Sequence, residues 1–224
     1  MRLLEKMRFI AKRKAGAKRI REYLRANGIR KLQLGAGPTS LPGWLCTDLA
    51  PSSNEVVYLD VTEPFPFDNG LFDYIFGEHL IEHVSWSDGG RMLLECHRVL
   101  KPGGRIRIAT PDLAVLLRLY DPAGTPGREQ YIKWITDNFL AGVDVYKPQF
   151  AINNAFRNWG HQFLYDGEIL EFALRRAGFE DITRCKYGDS LHEHLRGIES
   201  HGINAGSAEM AIYETMVYEA RRPE

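Results

Sequence analysis

Little in this chain could staple it covalently or carry it through a membrane. Its 224 residues include three cysteines, Cys46, Cys96 and Cys185, an odd number without C-x-x-C spacing. That pattern provides neither a disulfide framework nor a zinc knuckle and fits a reducing cytoplasm. No apolar run approaches the ~20 residues that span a bilayer, and the N-terminus lacks the continuous apolar core of a signal peptide. The expectation is a cytoplasmic protein, neither secreted nor membrane-spanning. Net charge is missing too, with 29 Lys and Arg against 29 Asp and Glu. The balance conceals a polarity. Through Lys31 there are twelve basic residues against Glu5 and Glu22, which leaves 17 basic against 27 acidic groups in the remainder. A net acidic body repels phosphate, so nucleic acid is not an expected partner.

What is present is a 44% hydrophobic chain, long enough for one well-buried domain. It divides at about residue 29. In residues 1–29, Leu3, Met7, Ile10, Ala17, Ile20 and Leu24 recur at three- and four-residue spacing among Lys and Arg, which predicts one or two basic amphipathic helices ended by Asn27-Gly28. Such a segment either packs its apolar stripe on the domain and solvates its charges, or docks peripherally on an anionic surface such as the inner face of a membrane.

The rest, residues 30–224, is organised around a glycine turn. A short apolar strand, Lys31 to Leu34, runs into Gly35-Ala36-Gly37, and a second, Trp44 to Thr47, runs into Asp48. Glycines directly after a buried strand let the backbone turn tightly and approach a ligand, and an acid ending the next strand can accept hydrogen bonds from ribose hydroxyls. The third glycine of the dinucleotide fingerprint is absent. Pro38 and Pro42 leave little room for a long helix to hold a pyrophosphate, and the acid follows sooner than the usual spacing of ~20 residues. The pattern fits a ligand with a ribose and no phosphate clamp.

Further on, Val56 to Leu59 is an apolar run ending in Asp60, an acid placed either to meet an adenine amino group or to cap a turn before Pro64. Gly70 to Gly77 is a turn and strand centred on Tyr74 to Phe76. Glu78 to Val84 follows, then a helix over Ser87 to Leu100 stopped by Lys101-Pro-Gly-Gly104, and a strand from Arg105 to Ala109 that runs into Thr110-Pro111-Asp112. This alternation predicts an α/β fold: a doubly wound, Rossmann-like, mostly parallel sheet of about seven strands with helices on both faces. The rhythm breaks at about 113–160, where a helix from Leu113 to Tyr120 precedes a stretch dense in aromatics (Tyr131, Trp134, Phe139, Tyr146, Phe150, Phe156, Trp159). These predict an inserted helical cap, built either as a satellite core or as the wall of a substrate pocket. A helix near Asp166 to Ala177, a strand near Asp181 to Tyr187 and an alternating strand from Glu209 to Arg221 complete the domain.

Three stretches, Leu-Gln-Leu-Gly-Ala-Gly-Pro (Leu32 to Pro38), His-Leu-Ile-Glu-His-Val (His79 to Val84) and Arg-Val-Leu-Lys-Pro-Gly-Gly (Arg98 to Gly104), resemble successive motifs of class I S-adenosylmethionine-dependent methyltransferases. The likeness is greatest to a small bacterial group associated with glycan assembly. It covers Lys31 to Asp112, and more loosely Trp159 to Tyr165. It implies S-adenosyl-L-methionine as cofactor: Gly35, Ala36 and Gly37 near its methionine part, Asp48 at the ribose, Asp60 at the adenine, and Gly77 and His79 beside the sulfonium. Gln33 stands where many members carry an acid, and the segment from Gly37 to Asp48 is shortened.

Methyl transfer to a hydroxyl needs an aligned acceptor and a group to take its proton, which neutral imidazole does well near pH 7. His83 and His161 are the candidate bases, with Glu82 and Asp112 to orient a histidine or hold an acceptor hydroxyl. The expected acceptor is a sugar, glycolipid or similar small hydroxylated molecule; no metal ligands are assigned, and a divalent ion held by these acids and histidines to help the hydroxyl ionise is left open. Two other readings are open on sequence. His79-Leu-Ile-Glu82-His83 matches the H-x-x-E-H pattern of inverted zinc hydrolases, and a nucleoside-binding module without catalysis could serve as a partner protein.

Overall fold

The computed structural model describes residues 16–121 and 123–224. A helix over 16–26 (α1) leads into β1 (Lys31–Leu34), β2 (Leu45–Asp48), β3 (Val57–Tyr58), β4 (Phe72–Glu78), a single 3-10 turn at Ile81–His83, α2 (Trp86–Val99) and β5 (Leu100–Pro111). Three helices follow, α3 (Leu113–Arg118), α4 (Arg128–Phe139) and α5 (Pro148–Arg157). Then come α6 (Gly167–Arg176), β6 (Glu180–Cys185), α7 (His201–Asn204), α8 (Ala208–Glu214) and β7 (Thr215–Arg221). The seven strands form one sheet in the order β3-β2-β1-β4-β5-β7-β6. Strands β1 to β5 are parallel, and β7 runs antiparallel between β5 and β6. This is the expected Rossmann-like doubly wound architecture.

Alternation along the strands separates two faces that differ in kind. Leu32, Leu34, Leu45, Ile75, Ile106, Ile108, Met216, Tyr218 and Ala220 point to one side and form the main core with Met92, Leu93 and Cys96 of α2 and Leu170, Ala173 and Leu174 of α6. Ile20 and Tyr23 of α1 pack on the same core, and the Tyr23 hydroxyl donates to Lys31 O and accepts from Lys31 N, tying α1 to β1. For residues 16–26 the helix thus packs on the domain with its charges solvated; residues 1–15, with the rest of the basic segment, lie outside the described residues.

The other face carries Gln33, Cys46, Phe76, Arg107 and Glu219. No helix intervenes between β1 and β2, because Gly35 to Trp44 holds only turns. The space is filled by the long β6–β7 connection, whose Leu195 and Ile198 pack against Trp44, Cys46 and Phe76. Arg107 anchors that connection. Its guanidinium is fully buried, donates to Glu199 and Glu219 at 2.5 Å each, and donates to Asp189 O at 2.9 Å.

The segment after β5 forms the expected helical cap around its own small core of Leu116, Leu119, Tyr131, Ile132, Ile135, Ala151 and Ala155. Two boundaries differ from expectation. The stretch Glu209 to Arg221 is not one strand: Ser207 caps a helix by accepting from Met210 N, and Met210, Ala211 and Glu214 are buried at helical spacing before β7 begins. Lys101 to Gly104 does stop α2, but the chain is already extended there, since Leu100 pairs with Phe72 and starts β5.

Removing one partner of a buried ion pair strands the other's charge. Arg107→Met, which keeps volume but leaves Glu199 and Glu219 uncompensated, is expected to cost about 3–5 kcal/mol, measured from urea unfolding midpoints. A cost below about 1 kcal/mol would mean that the network does not hold the β6–β7 connection.

Candidate active site

The carboxyl ends of the parallel strands open into a cavity of about 340 Å³, within the size range of small-molecule sites. Gly35, Ala36 and Gly37 form its floor beside Glu78 and His79 at the end of β4. His83, His161, His201 and Glu214 line its middle, and Trp134, Phe139 and Trp159 of the cap form a wall. Gly35 and Gly37 have φ of 63° and 53°, a region open to glycine but strained for other residues. A Cβ on Gly35 would fall 3.0 Å from Leu80 Cδ1, whereas one on Gly37 would meet nothing within 4 Å. The first glycine is therefore needed for packing, and the second leaves bare backbone facing open space. Gln33 fixes the turn from beneath, donating to Thr39 O and accepting from Leu41 N.

Asp48 sits beside this turn and accepts from Gly37 N at 2.9 Å and Ala50 N at 2.7 Å. Gly77 is an interior residue of β4, paired between Leu34 and Ile108, and lies behind the cavity lining. Asp60 is not part of the cavity. Its carboxylate accepts from Thr62 N and Thr62 Oγ1, the turn-capping arrangement, and it borders a separate cleft against α1. Asp112 is likewise elsewhere: one oxygen caps α3 by accepting from Ala114 N, and the other binds Arg184 at 2.7 Å. With both oxygens committed and its side chain buried, Asp112 is not positioned to orient a histidine of the cavity; it anchors the first helix of the cap.

Four imidazoles gather here. His79 follows β4 with φ of 45°, an unusual value for a residue with a Cβ. Its ring stacks on His201, with centroids 3.6 Å apart and planes 13° from parallel. Its Nε2 lies 3.0 Å from Thr215 Oγ1 and its Nδ1 3.2 Å from Glu82 Oε1. Glu82 is fully buried, and its other oxygen accepts from Thr110 Oγ1 at 2.9 Å. Glu82 thus orients His79, the neighbour one helical turn back, whereas sequence suggested a base histidine. His83 and His161 meet edge to face, with centroids 4.8 Å apart. His161 Nδ1 is 2.7 Å from Ala155 O, so Nδ1 carries the proton and Nε2 is left with a free lone pair. An aromatic chain, Trp134 to Phe139 to Trp159 to His161, continues from this pair along the wall.

Burial works against the His79 imidazolium, but Glu82, helped by Glu214 and Glu78, outweighs it and holds His79 above the ordinary histidine value. Burial would likewise raise Glu82, and His79 and His83 more than offset it, so the carboxyl stays below its usual range. Burial, with the His79 charge across the stack, pushes His201 down to about 4. Burial also lowers His161 and raises Glu214, whose Oε2 accepts from Tyr131 at 2.5 Å. The cavity therefore combines one buried ion pair with the neutral imidazoles of His161 and His201.

Glu78, His201 and Glu214 escaped the sequence reading. Glu78 directly precedes the H-x-x-E-H run and acts as a clamp, accepting from Ser200 N and His201 N. His201 opens the four-residue helix α7, too short to show a periodicity, and Glu214 lay hidden in what looked like a strand. Two groups, His79 with His201 and Glu214, and Glu82 with His83 and His161, each bring potential metal-ligand atoms within 4.8 Å of one another among the described residues.

A nucleoside-type glycine turn joined to a capped, imidazole-lined cavity defines an α/β domain built to hold a small ligand at the carboxyl edge of its sheet. Residues 15–108 match a family model described as a methyltransferase domain, the stretch that carries the glycine turn and His79 to His83. No curated protein matches the chain. Among solved structures, phosphoethanolamine N-methyltransferase 2 of Haemonchus contortus in complex with S-adenosyl-L-methionine is 17% identical with a TM-score of 0.49, over 88% of this chain and 49% of that one. This chain spans about half the length of that enzyme. A SAM-dependent methyltransferase from Archaeoglobus fulgidus is 14% identical with a TM-score of 0.49, over 94% of each chain. One from Mesorhizobium loti is 16% identical with a TM-score of 0.48, over 89% of this chain and 95% of that one. No helix of the described residues is long and apolar enough to cross a membrane.

The His79–Glu82 pair should leave a signature in stability. A histidine raised in the folded state contributes fully below its unfolded value near 6.5 and loses that contribution as pH rises through the folded value. A lowered carboxylate contributes fully above its unfolded value near 4.5 and loses it as pH falls. The pair is therefore complete between those two values. Urea titrations from pH 5 to 9 are expected to show the difference between wild type and His79→Gln shrinking as pH rises beyond 6.5; a constant difference would show that His79 is not charged in the folded protein.

Proposed function

We propose that this chain is an S-adenosylmethionine-dependent methyltransferase that methylates an oxygen of a sugar, glycolipid or similar hydroxylated acceptor. The observation that carries the reading is the cavity that joins the glycine turn to the aromatic and imidazole wall. The match of residues 15–108 to a methyltransferase domain supports the reaction class. The residues fit the cofactor at the turn: Gly37 presents bare backbone to open space, and Asp48 beside it, only partly buried and with one backbone amide on each oxygen, keeps a second lone pair on each for a ribose. Leu49, 61% exposed next to Asp48, offers an apolar surface to a purine ring. Bound there, the cofactor supplies a methyl group on an electrophilic sulfonium.

The protein's part is alignment and proton handling. Trp134, Phe139 and Trp159 give apolar ring faces on which the C–H face of a sugar can lie, and they exclude water from the reacting oxygen. With the cofactor bound there, the acceptor oxygen would take the methyl group as the carbon–sulfur bond gave its electrons to sulfur, and the acceptor's O–H proton would pass to an imidazole. His161 suits that role, because its Nδ1–H is fixed on Ala155 O and its Nε2 lone pair is free, and burial keeps it neutral at pH 7. His83 stands edge-on to it as the second imidazole of the pair. Thioether, methylated acceptor and one proton are the products.

Calorimetric titration with S-adenosylmethionine and S-adenosylhomocysteine, followed by labelled-methyl transfer to a panel of sugars and glycolipids, tests the proposal. Binding in the micromolar range is expected, weakened about tenfold or more by Asp48→Ala, the equivalent of at least ~1.4 kcal/mol. His161→Ala is expected to lower kcat by roughly 10²–10⁴ while leaving cofactor affinity intact. A folded protein that binds neither ligand would overturn the reading, and binding without transfer to any hydroxyl would leave a nucleoside-binding module in its place.

A further inference from the structure

Glu82, His83 and His161 form the second of the two histidine and carboxylate groups, with ligand atoms all within 4.8 Å of one another. We infer that they are a binding site for a divalent transition-metal ion of the zinc, cobalt or iron type, open to the cavity on its remaining side. Two imidazoles and one carboxylate are a donor set suited to such ions and poor for magnesium or calcium, which favour all-oxygen shells.

Three independent features of these side chains go beyond their proximity. Glu82 Oε1 is buried with no hydrogen-bond partner, its 3.2 Å contact with His79 Nδ1 being an ion pair alone. Such an atom in a fully buried side chain has an unused lone pair. His161 has its Nδ1–H fixed on a backbone carbonyl, the outer-shell contact that sets a ligating imidazole's tautomer and aims Nε2 at a metal. Thr110 does the same for Glu82, donating to the oxygen that the ion would not need. His83, partly exposed at the cavity wall, completes the group from the open side. Tetrahedral coordination at about 2.1 Å sets ligand atoms roughly 3.4 Å apart, so the group closes by about an ångström or more when it binds.

The companion group of His79, His201 and Glu214 lacks these features. Its two rings are stacked nearly parallel, so their in-plane lone pairs do not converge. His79 Nε2 faces Thr215 Oγ1, and Glu214 Oε2 is taken by Tyr131.

The site does not depend on the identity of the methyl acceptor. An ion held there would occupy the imidazoles that otherwise accept the acceptor's proton, and would polarise the hydroxyl in their place, the proton leaving to water. The metal-free and metal-loaded protein should therefore differ in the pH dependence of methyl transfer.

Chelator-stripped full-length protein titrated with ZnCl₂ by calorimetry, and with CoCl₂ by visible absorption, tests the assignment without any activity assay. One equivalent of Zn²⁺ is expected to bind at micromolar dissociation constant or tighter, and Co²⁺ to develop the intense d–d bands of a four- or five-coordinate site. His83→Asn, His161→Asn and Glu82→Gln are each expected to weaken Zn²⁺ at least tenfold, with circular dichroism confirming that each is folded. His201→Asn is expected to leave Zn²⁺ affinity within twofold. Absence of binding to wild type, or binding lost in His201→Asn and retained in the His83 and His161 variants, would overturn the inference. Zinc binding by a protein that ignores S-adenosylmethionine would defeat the proposed function and leave the ion site standing; cofactor binding without zinc would do the reverse.

Discussion

The buried guanidinium of Arg107 is the contact on which the active-site face depends. It occupies a strand position where alternation would ordinarily place an apolar residue under a helix. Instead it meets two carboxylates, Glu199 from the β6–β7 connection and Glu219 from β7. Burying three ionised groups is expensive, and the net gain over an apolar core is small or negative. What the network supplies is position. A guanidinium has a fixed planar fork, so the segment carrying Glu199 is held at one register on the sheet. Glu78 repeats the device one residue further along, collecting the amides of Ser200 and His201 on a single carboxylate.

The need for that anchor comes from the shortness of the chain between β1 and β2. Ten residues of turn, with prolines at 38 and 42, replace the helix that a parallel crossover usually carries. Trp44, Cys46 and Phe76 are then left without a helical partner, and Leu195 and Ile198 cover them. A segment recruited to fill that gap also delivers His201 onto His79 and Asn204 onto Thr39. One economy near the N-terminus thus determines what stands over the cavity nearly 160 residues later.

Local chemistry made the first half of the domain legible. The glycine turn, the acid that ends β2, the helix α2 and the strands on either side follow from contacts within a few residues, and they are found close to where the sequence placed them, β5 excepted at its start. The aromatic insertion was legible as a cap, and Trp134, Phe139 and Trp159 of it do line the cavity. What could not be read depends on partners far away in the chain. Asp112 resembled a strand-end catalytic acid until Arg184 claimed one oxygen and the α3 amide the other. Asp60 had two local readings, and Thr62, two residues on, takes one of its oxygens in the turn-capping arrangement. Glu214 was misplaced because Ala208 to Glu214 satisfies a two-residue period as well as a helical one, and only the Ser207 cap and burial of Met210 and Ala211 choose between them.

The electrostatics of the cavity follow from this arrangement. Glu82 and His79 neutralise each other beneath the surface, and burial, helped by the His79 charge across the stack, pushes His201 down to about 4. Burial keeps His161 neutral and makes ionisation of Glu214 costly. The groups facing the void are therefore mostly uncharged lone pairs and ring faces above a self-compensating ion pair. This lining commits its Glu78 carboxylate to the amides of Ser200 and His201, and Glu214 Oε2 to Tyr131. It leaves nitrogen lone pairs as the strongest donors in the cavity, available to whichever positive centre reaches them first, a hydroxyl proton or a metal ion.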